Sequence, residues 1–260
     1  MSRVSGVVRK LRWSLAQRGL VGTVKFALGR VGATSDSKPK VHPFDLRHGL
    51  DTSGLIGGAD LATGHEHDIY NTAYYGMSPS RFKGAIELWM ALPPQARIES
   101  YTFVDLGCGK GRAVLMATEL PFREVIGVEL HPQLARTAEE NLQVWKDAGK
   151  IVSKARILCA DATEFEFPEG PCLLYLFNPF AKPVLERLLE RVEVAFRDRA
   201  GMLDVVYFNP ESAEAFGAHQ GFELMWSRSI AMSDEDAAAD LVASPDDLCN
   251  LYRWVGRRED

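Results

Sequence analysis

Long uncharged apolar runs are missing from this chain of 260 residues. No stretch of about 18 or more such residues occurs, so no segment is expected to cross a membrane as a helix. Cysteine is scarce. Cys108, Cys159, Cys172 and Cys249 are too scattered for a disulfide framework, and no pair has zinc-site spacing. Reduced thiols in a cytoplasmic protein are the expectation. Histidine offers one close pair, His65-x-His67, without a companion Cys and without helical i, i+4 spacing. That is a poor metal pair, so the segment reads as a solvated loop and no metal is expected. Finally, residues 1–35 contain no Asp or Glu.

That last absence divides the chain. Arg3, Arg9, Lys10, Arg12, Arg18, Lys25 and Arg30 give residues 1–35 a charge of +7, while the rest carries 23 basic against 35 acidic residues. The net charge of −5 argues weakly against a general nucleic-acid binder, and no nucleic-acid partner is expected. Hydrophobic residues at 46% and charged residues at 25% are ordinary for a globular protein and exclude a wholly disordered one. In the basic segment, Val4, Val7, Val8, Leu11 and Leu15, then Leu20, Val21, Val24, Leu28 and Val31, have helical spacing. Gly19 and Gly22 divide it into two short helices. Such a basic amphipathic stretch suits packing on the body or a second subunit, peripheral contact with a membrane surface, or guidance of an acidic acceptor; a transit peptide is a further alternative.

Residues 32–68 read as loop, and residues 79–92 as a helix opened by Pro79 and stopped by Pro93 and Pro94. Three regions follow: the basic segment 1–35, a loop-rich linker and possible active-site cap 36–78, and a main domain 79–260. In the main domain, apolar runs alternate with helical stretches. Strands are predicted at Tyr101–Leu106, Glu124–Leu130, Ala155–Cys159, Cys172–Phe177, Met202–Phe208, Phe222–Ser227 and Cys249–Val255. Helices are predicted at Arg112–Glu119, Pro132–Lys146, Pro183–Arg197 and Ala213–Gln220. Strand–helix alternation of this kind gives an α/β fold with a doubly wound, mostly parallel sheet of seven strands, here extended by the N-terminal helical and loop regions. No helix-length amphipathic stretch separates the last two strands, which therefore form a hairpin. Its long connection, Ser233–Asp247, carries six carboxylates and reads as a solvated loop.

Between the first strand and the first helix of this alternation runs Val104-Asp105-Leu106-Gly107-Cys108-Gly109-Lys110-Gly111-Arg112. Glycines allow a tight turn and a close backbone approach to a ligand, and the following helix N-terminus presents amide donors to an anionic group. The spacing is G-x-G-x-G, not the G-x-G-x-x-G of the dinucleotide fingerprint. Asp105 stands just before the loop. Gly127-Val128-Glu129-Leu130 ends the next strand, and a carboxylate at that tip suits a ribose diol.

This loop resembles the first motif of class I S-adenosylmethionine-dependent methyltransferases. Gly127–Leu130 resembles their second motif, and Cys159-Ala160-Asp161-Ala162-Thr163 the third-strand motif that flanks the adenine. The resemblance spans about residues 70–255 and implies S-adenosylmethionine as cofactor. It implies that Gly107, Gly109 and Gly111 line the methionine moiety and that Asp105 holds its amino group. Glu129 would take both ribose hydroxyls, Leu130 or His131 would touch the adenine, and Asp161, beside Ala162, would face the exocyclic amine. The family's antiparallel seventh strand accounts for the terminal hairpin.

On the acceptor side, Asn178-Pro179-Phe180 resembles the Asp/Asn-Pro-Pro-Tyr/Phe motif of methyltransferases acting on nitrogen, with one proline missing. Independently of the resemblance, the Asn178 side-chain oxygen and a carbonyl near Pro179 can accept hydrogens from an attacking amine. Phe180 can pack on the acceptor or on a sulfonium. Asn178 would thus border cofactor and acceptor alike. Asn209-Pro210 closes the next strand in the same way. Tyr75 or Ser78, in the segment before Pro79, would cap the site, as a comparable segment does in the DOT1-like group of protein-lysine methyltransferases.

The expectation is a methyltransferase acting on an unidentified acceptor, a nitrogen of an amine or protein lysine. No strand-tip base other than His131 is evident, which favours positioning over base catalysis. The alternatives are an O-methyltransferase, an NAD-type oxidoreductase, and a non-catalytic membrane-surface module that keeps the fold.

Overall fold

The computed structural model describes residues 41–93, 95–240 and 247–256. The expectations placed on residues 1–35 lie outside these.

The segment expected to be loop carries local structure. The His42 ring accepts from the Phe44 N–H at 3.1 Å, Pro43 occupies the first turn, and Gly49 closes the helix at φ 66°. These caps set up the short helix α1 (Pro43–His48). A two-stranded antiparallel pair follows, β1 (Leu55–Ile56) with β2 (Tyr74–Tyr75). Helix α2 (Pro79–Met90) then buries Phe82, Ala85, Ile86 and Trp89.

The main alternation is β3 (Thr102–Leu106), α3 (Arg112–Thr118), β4 (Glu124–Glu129), α4 (Pro132–Asp147), β5 (Ala155–Cys159), β6 (Cys172–Phe177), α5 (Lys182–Ala195), β7 (Leu203–Phe208), α6 (Glu214–Gly217), β8 (Phe222–Ser229), α7 (Asp234–Ala239) and β9 (Leu248–Trp254). Among the described residues the large sheet has seven strands in the order β5-β4-β3-β6-β7-β9-β8. The first five in that order pair in parallel, and β9 runs antiparallel between β7 and β8. The terminal hairpin and the antiparallel last strand are therefore as expected.

Both faces of the central strands are covered, which is why β3, β6 and β7 read as nearly unbroken apolar runs. Alternation still sorts the side chains. Phe103, Val125, Leu173, Tyr175, Val206 and Phe208 face one core with α2, α3 and α4. Val104, Leu106, Leu174, Leu176 and Val205 face the other, with α5 and α6. The chain leaves β3 toward β4 and β5, then returns to β6 on the other side of β3. That reversal opens a crevice at the carboxyl ends of β3 and β6, where ligands bind in open α/β sheets.

Two sequence expectations need correction. The helix expected over Ala213–Gln220 has only one turn, Glu214–Gly217, because glycines at 217 and 221 weaken any continuation. The hairpin connection is not simply a solvated loop. It contains α7, and two of its carboxylates are buried. Asp236 accepts from the Ser80 N–H and Oγ at 2.7 and 2.5 Å and lies 3.3 Å from His42 Nε2. Asp247 pairs with Arg81.

Candidate active site

At the crevice a cavity of about 110 Å³ is bounded below by the β3–α3 loop and the β6 tip, and above by residues 71–77. The loop holds its shape through Gly107 and Cys108 N–H groups, which donate to the Val128 carbonyl at 2.8 and 3.0 Å. Gly107 and Gly109 have φ of 77° and 55°. A Cβ on Gly109 would collide with the Tyr74 ring, and one on Gly107 with Pro179. Gly111 is turned elsewhere. A Cβ there would come within 3.2 Å of Ala138, so this glycine lets α3 and α4 approach, and it does not line the cavity.

Asp105 ends β3 facing the cavity, 3% exposed, with no hydrogen-bond or ion-pair partner among the described residues. Burial, reinforced by the nearby Glu129, pushes its carboxyl well above the usual range. Glu129, at the β4 tip, is also pushed up by burial, against the effect of the His131, Gly109 and Leu130 backbone N–H groups. Its Oε2 accepts from the Gly109 N–H and its Oε1 from the His131 N–H, both at 2.8 Å. Each oxygen keeps a further lone pair for a ligand hydroxyl. Leu130, His131 and Ala162 line the same end.

Asp161 lines the cavity from the end of β5 and is held on both oxygens. Oδ1 accepts from Thr163 N–H and Oγ1 at 2.7 and 2.9 Å. Oδ2 lies 2.8 Å from His67 Nδ1 and 3.6 Å from His65 Nε2. The segment read as a solvated loop is thus part of the site: His67 is buried and lines the cavity. Three ligand-type atoms of His65, His67 and Asp161 gather within 4.8 Å. The proton arrangement there does not suit a metal. The Arg187 guanidinium, only a donor, lies 2.6 Å from His67 Nε2, which leaves the ring proton on Nδ1 facing Asp161. His65 Nδ1 accepts from the His67 N–H, which leaves its proton on Nε2, also toward Asp161. The His67 Nδ1 approach is off the line of a good hydrogen bond and acts as an electrostatic contact.

The β6 tip turns at Asn178, whose φ of 42° is unusual for a non-glycine residue. The Asn178 side chain does not line the cavity. Its Oδ1 accepts from the Tyr207 hydroxyl at 3.3 Å on the other side of the turn. Its backbone carbonyl accepts from Thr72 Oγ1 at 2.7 Å, and the Pro179 carbonyl accepts from the Thr72 N–H at 3.5 Å. The oxygens expected to meet an attacking amine are therefore engaged within the protein. Pro179 and Phe180 do line the cavity, and Asn71 bridges to Phe180.

Tyr74 and Tyr75 form the roof. Tyr74 covers Gly109 and donates to the Thr52 carbonyl at 2.8 Å. Tyr75 packs edge-on against Phe177 at 4.8 Å. Ser78 instead stands at the N-cap position of α2 without a capping bond, and its Oγ donates to Met232 Sδ at 3.1 Å. Cys108 is a buried packing thiol.

Three participants lie outside the sequence reading. Arg112, the last residue of the glycine motif, is buried; it donates to Thr52 Oγ1 and O, Met77 O and Ser53 Oγ, and lies 3.6 Å from Asp45. It fastens residues 45–53 and 77 to the start of α3. His67 had only its neighbour His65 to draw attention to it. Tyr175, a polar-tipped residue inside the apolar run of β6, sits across from Asp105 in the β3–β6 register. Its fully buried hydroxyl has no hydrogen-bond partner.

No helix among the described residues is long and apolar enough to cross a membrane. Residues 103–198 match a family model described as a methyltransferase domain. No curated protein matches. Among solved structures, similarity is found to a ribosomal protein L11 methylase from Lactobacillus delbrueckii subsp. bulgaricus, at 14% identity over 67% of this chain and 76% of that one, with TM-score 0.43. The YcgJ protein from Bacillus subtilis shows 13% identity over 68% of this chain and 100% of that one, TM-score 0.44. The [4+2]-cyclase SpnF shows 12% identity over 67% and 81%, TM-score 0.46. Likeness at this level carries no substrate across.

Proposed function

We propose that this chain is a methyltransferase that takes S-adenosylmethionine as methyl donor, as the methyltransferase-domain match of residues 103–198 supports, and that it delivers the methyl group to a nitrogen, of an amine or a protein lysine, by positioning and exclusion of water. The donor set suits this cofactor. Asp105 is a buried carboxylate without a partner, as an ammonium site requires, and Glu129 has lone pairs free for a ribose diol. Gly107 and Gly109 bring backbone alone to the cavity floor. Leu130, His131 and Ala162 would border the adenine. Asp161 would reach its amine through the Oδ2 lone pair that His65 faces only at 3.6 Å. Gly111 contributes by letting α3 start where it does.

When bound, the cofactor supplies a methyl group already activated on a sulfonium. The chain then has to hold an acceptor in line and keep water away, which can lower a barrier by several kcal/mol, up to ~7–11 in ideal cases. Tyr75, Phe177, Pro179 and Phe180 would form the dry wall against which the acceptor lies. Asn178 would set the shape of that wall through its left-handed turn.

The nitrogen reading rests on the imidazoles and phenols of the cavity: His67 Nε2 and His131 Nδ1 already accept, from Arg187 at 2.6 Å and from the Gln133 N–H at 3.3 Å, and the tyrosines offer no base either. Burial pushes the hydroxyls of Tyr74, Tyr75 and Tyr175 far up, so all three stay protonated and none takes a proton. A hydroxyl acceptor needs a base, whereas an amine arriving neutral does not.

The test offers deuterium-labelled S-adenosylmethionine with lysine peptides, small amines and their hydroxyl counterparts, read by mass spectrometry. Label on nitrogen is expected. Label on hydroxyls alone would overturn the reading.

A further inference from the structure

We infer that the Tyr175 hydroxyl is the donor that receives the carboxylate of the cofactor's amino-acid end, beside Asp105, which receives its ammonium. This rests on the cofactor reading above. The two side chains lie directly across from one another on adjacent parallel strands, on the same face of the sheet, and both line the cavity.

Both groups lack partners. Asp105 meets no donor among the described residues, and the Tyr175 hydroxyl is a buried polar atom with no hydrogen bond. An unmade buried hydrogen bond costs free energy, and a ligand that fills it recovers that cost. Asp105 can only accept when ionised, whereas the phenol can donate. Together they match a zwitterion, with acceptor facing ammonium and donor facing carboxylate.

Four other side-chain donors near the cavity are engaged. Arg112 spends its N–H groups on Thr52, Ser53 and Met77. Lys110 is held by Asp51 and the Ser53 carbonyl, and Tyr74 by the Thr52 carbonyl. His67 lies between Arg187 and Asp161. The Tyr175 hydroxyl is not, and its aromatic body is fixed among Phe82, Phe103 and Phe208, with ring centroids 5.6 to 6.0 Å away.

The experiment compares wild type with Tyr175→Phe by calorimetric titration of S-adenosylhomocysteine and of 5′-methylthioadenosine, which has the same nucleoside but no amino-acid end. The variant should bind S-adenosylhomocysteine about tenfold or more weakly, as loss of a hydrogen bond to a charged group implies. Its affinity for 5′-methylthioadenosine should match that of wild type. The unliganded variant should melt no lower than wild type, because the change removes a buried unpaired hydroxyl. Equal affinity of both proteins for S-adenosylhomocysteine would overturn the assignment, as would an equal loss for both ligands or a fall in melting temperature. Wild type that binds neither ligand would instead overturn the cofactor reading, and the assignment with it.

Discussion

Thr72 Oγ1 donates to the backbone carbonyl of Asn178 at 2.7 Å, tying the roof of the cavity to the β6 tip. The Ala181 N–H donates to the Tyr70 carbonyl at 2.9 Å beside it, so the contact continues along both segments. The cavity of about 110 Å³ is small beside the ~300–1,000 Å³ of typical ligand sites, and these bonds hold its roof against the β6 tip. Thr72→Val keeps the shape and removes the donor. It should lower stability by about 1 kcal/mol and speed amide exchange at residues 70–75. Unchanged exchange there would show that this bond does not fasten the roof.

Gly109→Ala should be severe. Its φ of 55° disfavours a side chain, and the added Cβ would strike the Tyr74 ring. Strain of this kind costs of order 1–3 kcal/mol, and the displaced loop would also withdraw the N–H that Glu129 accepts. The expected result is a lower melting temperature together with lost binding of S-adenosylhomocysteine. Wild-type affinity in this variant would contradict the loop geometry.

Much of this was legible in the sequence because it rests on local rules. The apolar runs gave the strands, and the glycine spacing with Asp105 and Glu129 located the crevice. What escaped was decided by register and by distant partners. Nothing near Tyr175 announces that β6 will lie beside β3, and nothing near Asn178 tells that Tyr207 and Thr72 will engage its oxygens. His67 reads as solvated from its neighbours alone because its partners, Asp161 and Arg187, are 94 and 120 positions away in sequence. Asp236 and Asp247 looked like loop charges for the same reason. Composition cannot show that Ser80, His42 and Arg81 await them.

Asp105 makes a pH prediction. Burial, with Glu129 adding to it, raises its folded-state proton affinity above the unfolded value. Such a group contributes stability below the ordinary carboxylate pKa near 4, and that contribution is lost as pH rises through the raised folded value. Unliganded Asp105→Asn should therefore gain on wild type in melting temperature as pH rises from 5 to 8. Parallel melting curves across that range would contradict an unpaired buried carboxylate.

Asp236 behaves in the opposite sense. Burial would raise its pKa, but the close His42 ring and the hydrogen bonds from Ser80 outweigh this and bring it to about 2, from an ordinary 3.8. Its contribution is present above the ordinary value and lost as pH falls from 3.8 toward 2. Asp236→Asn should cost roughly 1–2 kcal/mol at pH 7 and much less at pH 2.5. A loss of equal size at both pH values would assign the effect to packing instead.

The most direct measurement is a calorimetric titration of the wild-type protein with S-adenosylhomocysteine and, separately, with NAD. The arrangement of Asp105, Gly107, Gly109 and Glu129 predicts saturable one-to-one binding of S-adenosylhomocysteine and none of NAD. No heat from S-adenosylhomocysteine, or binding of NAD alone, would contradict the account.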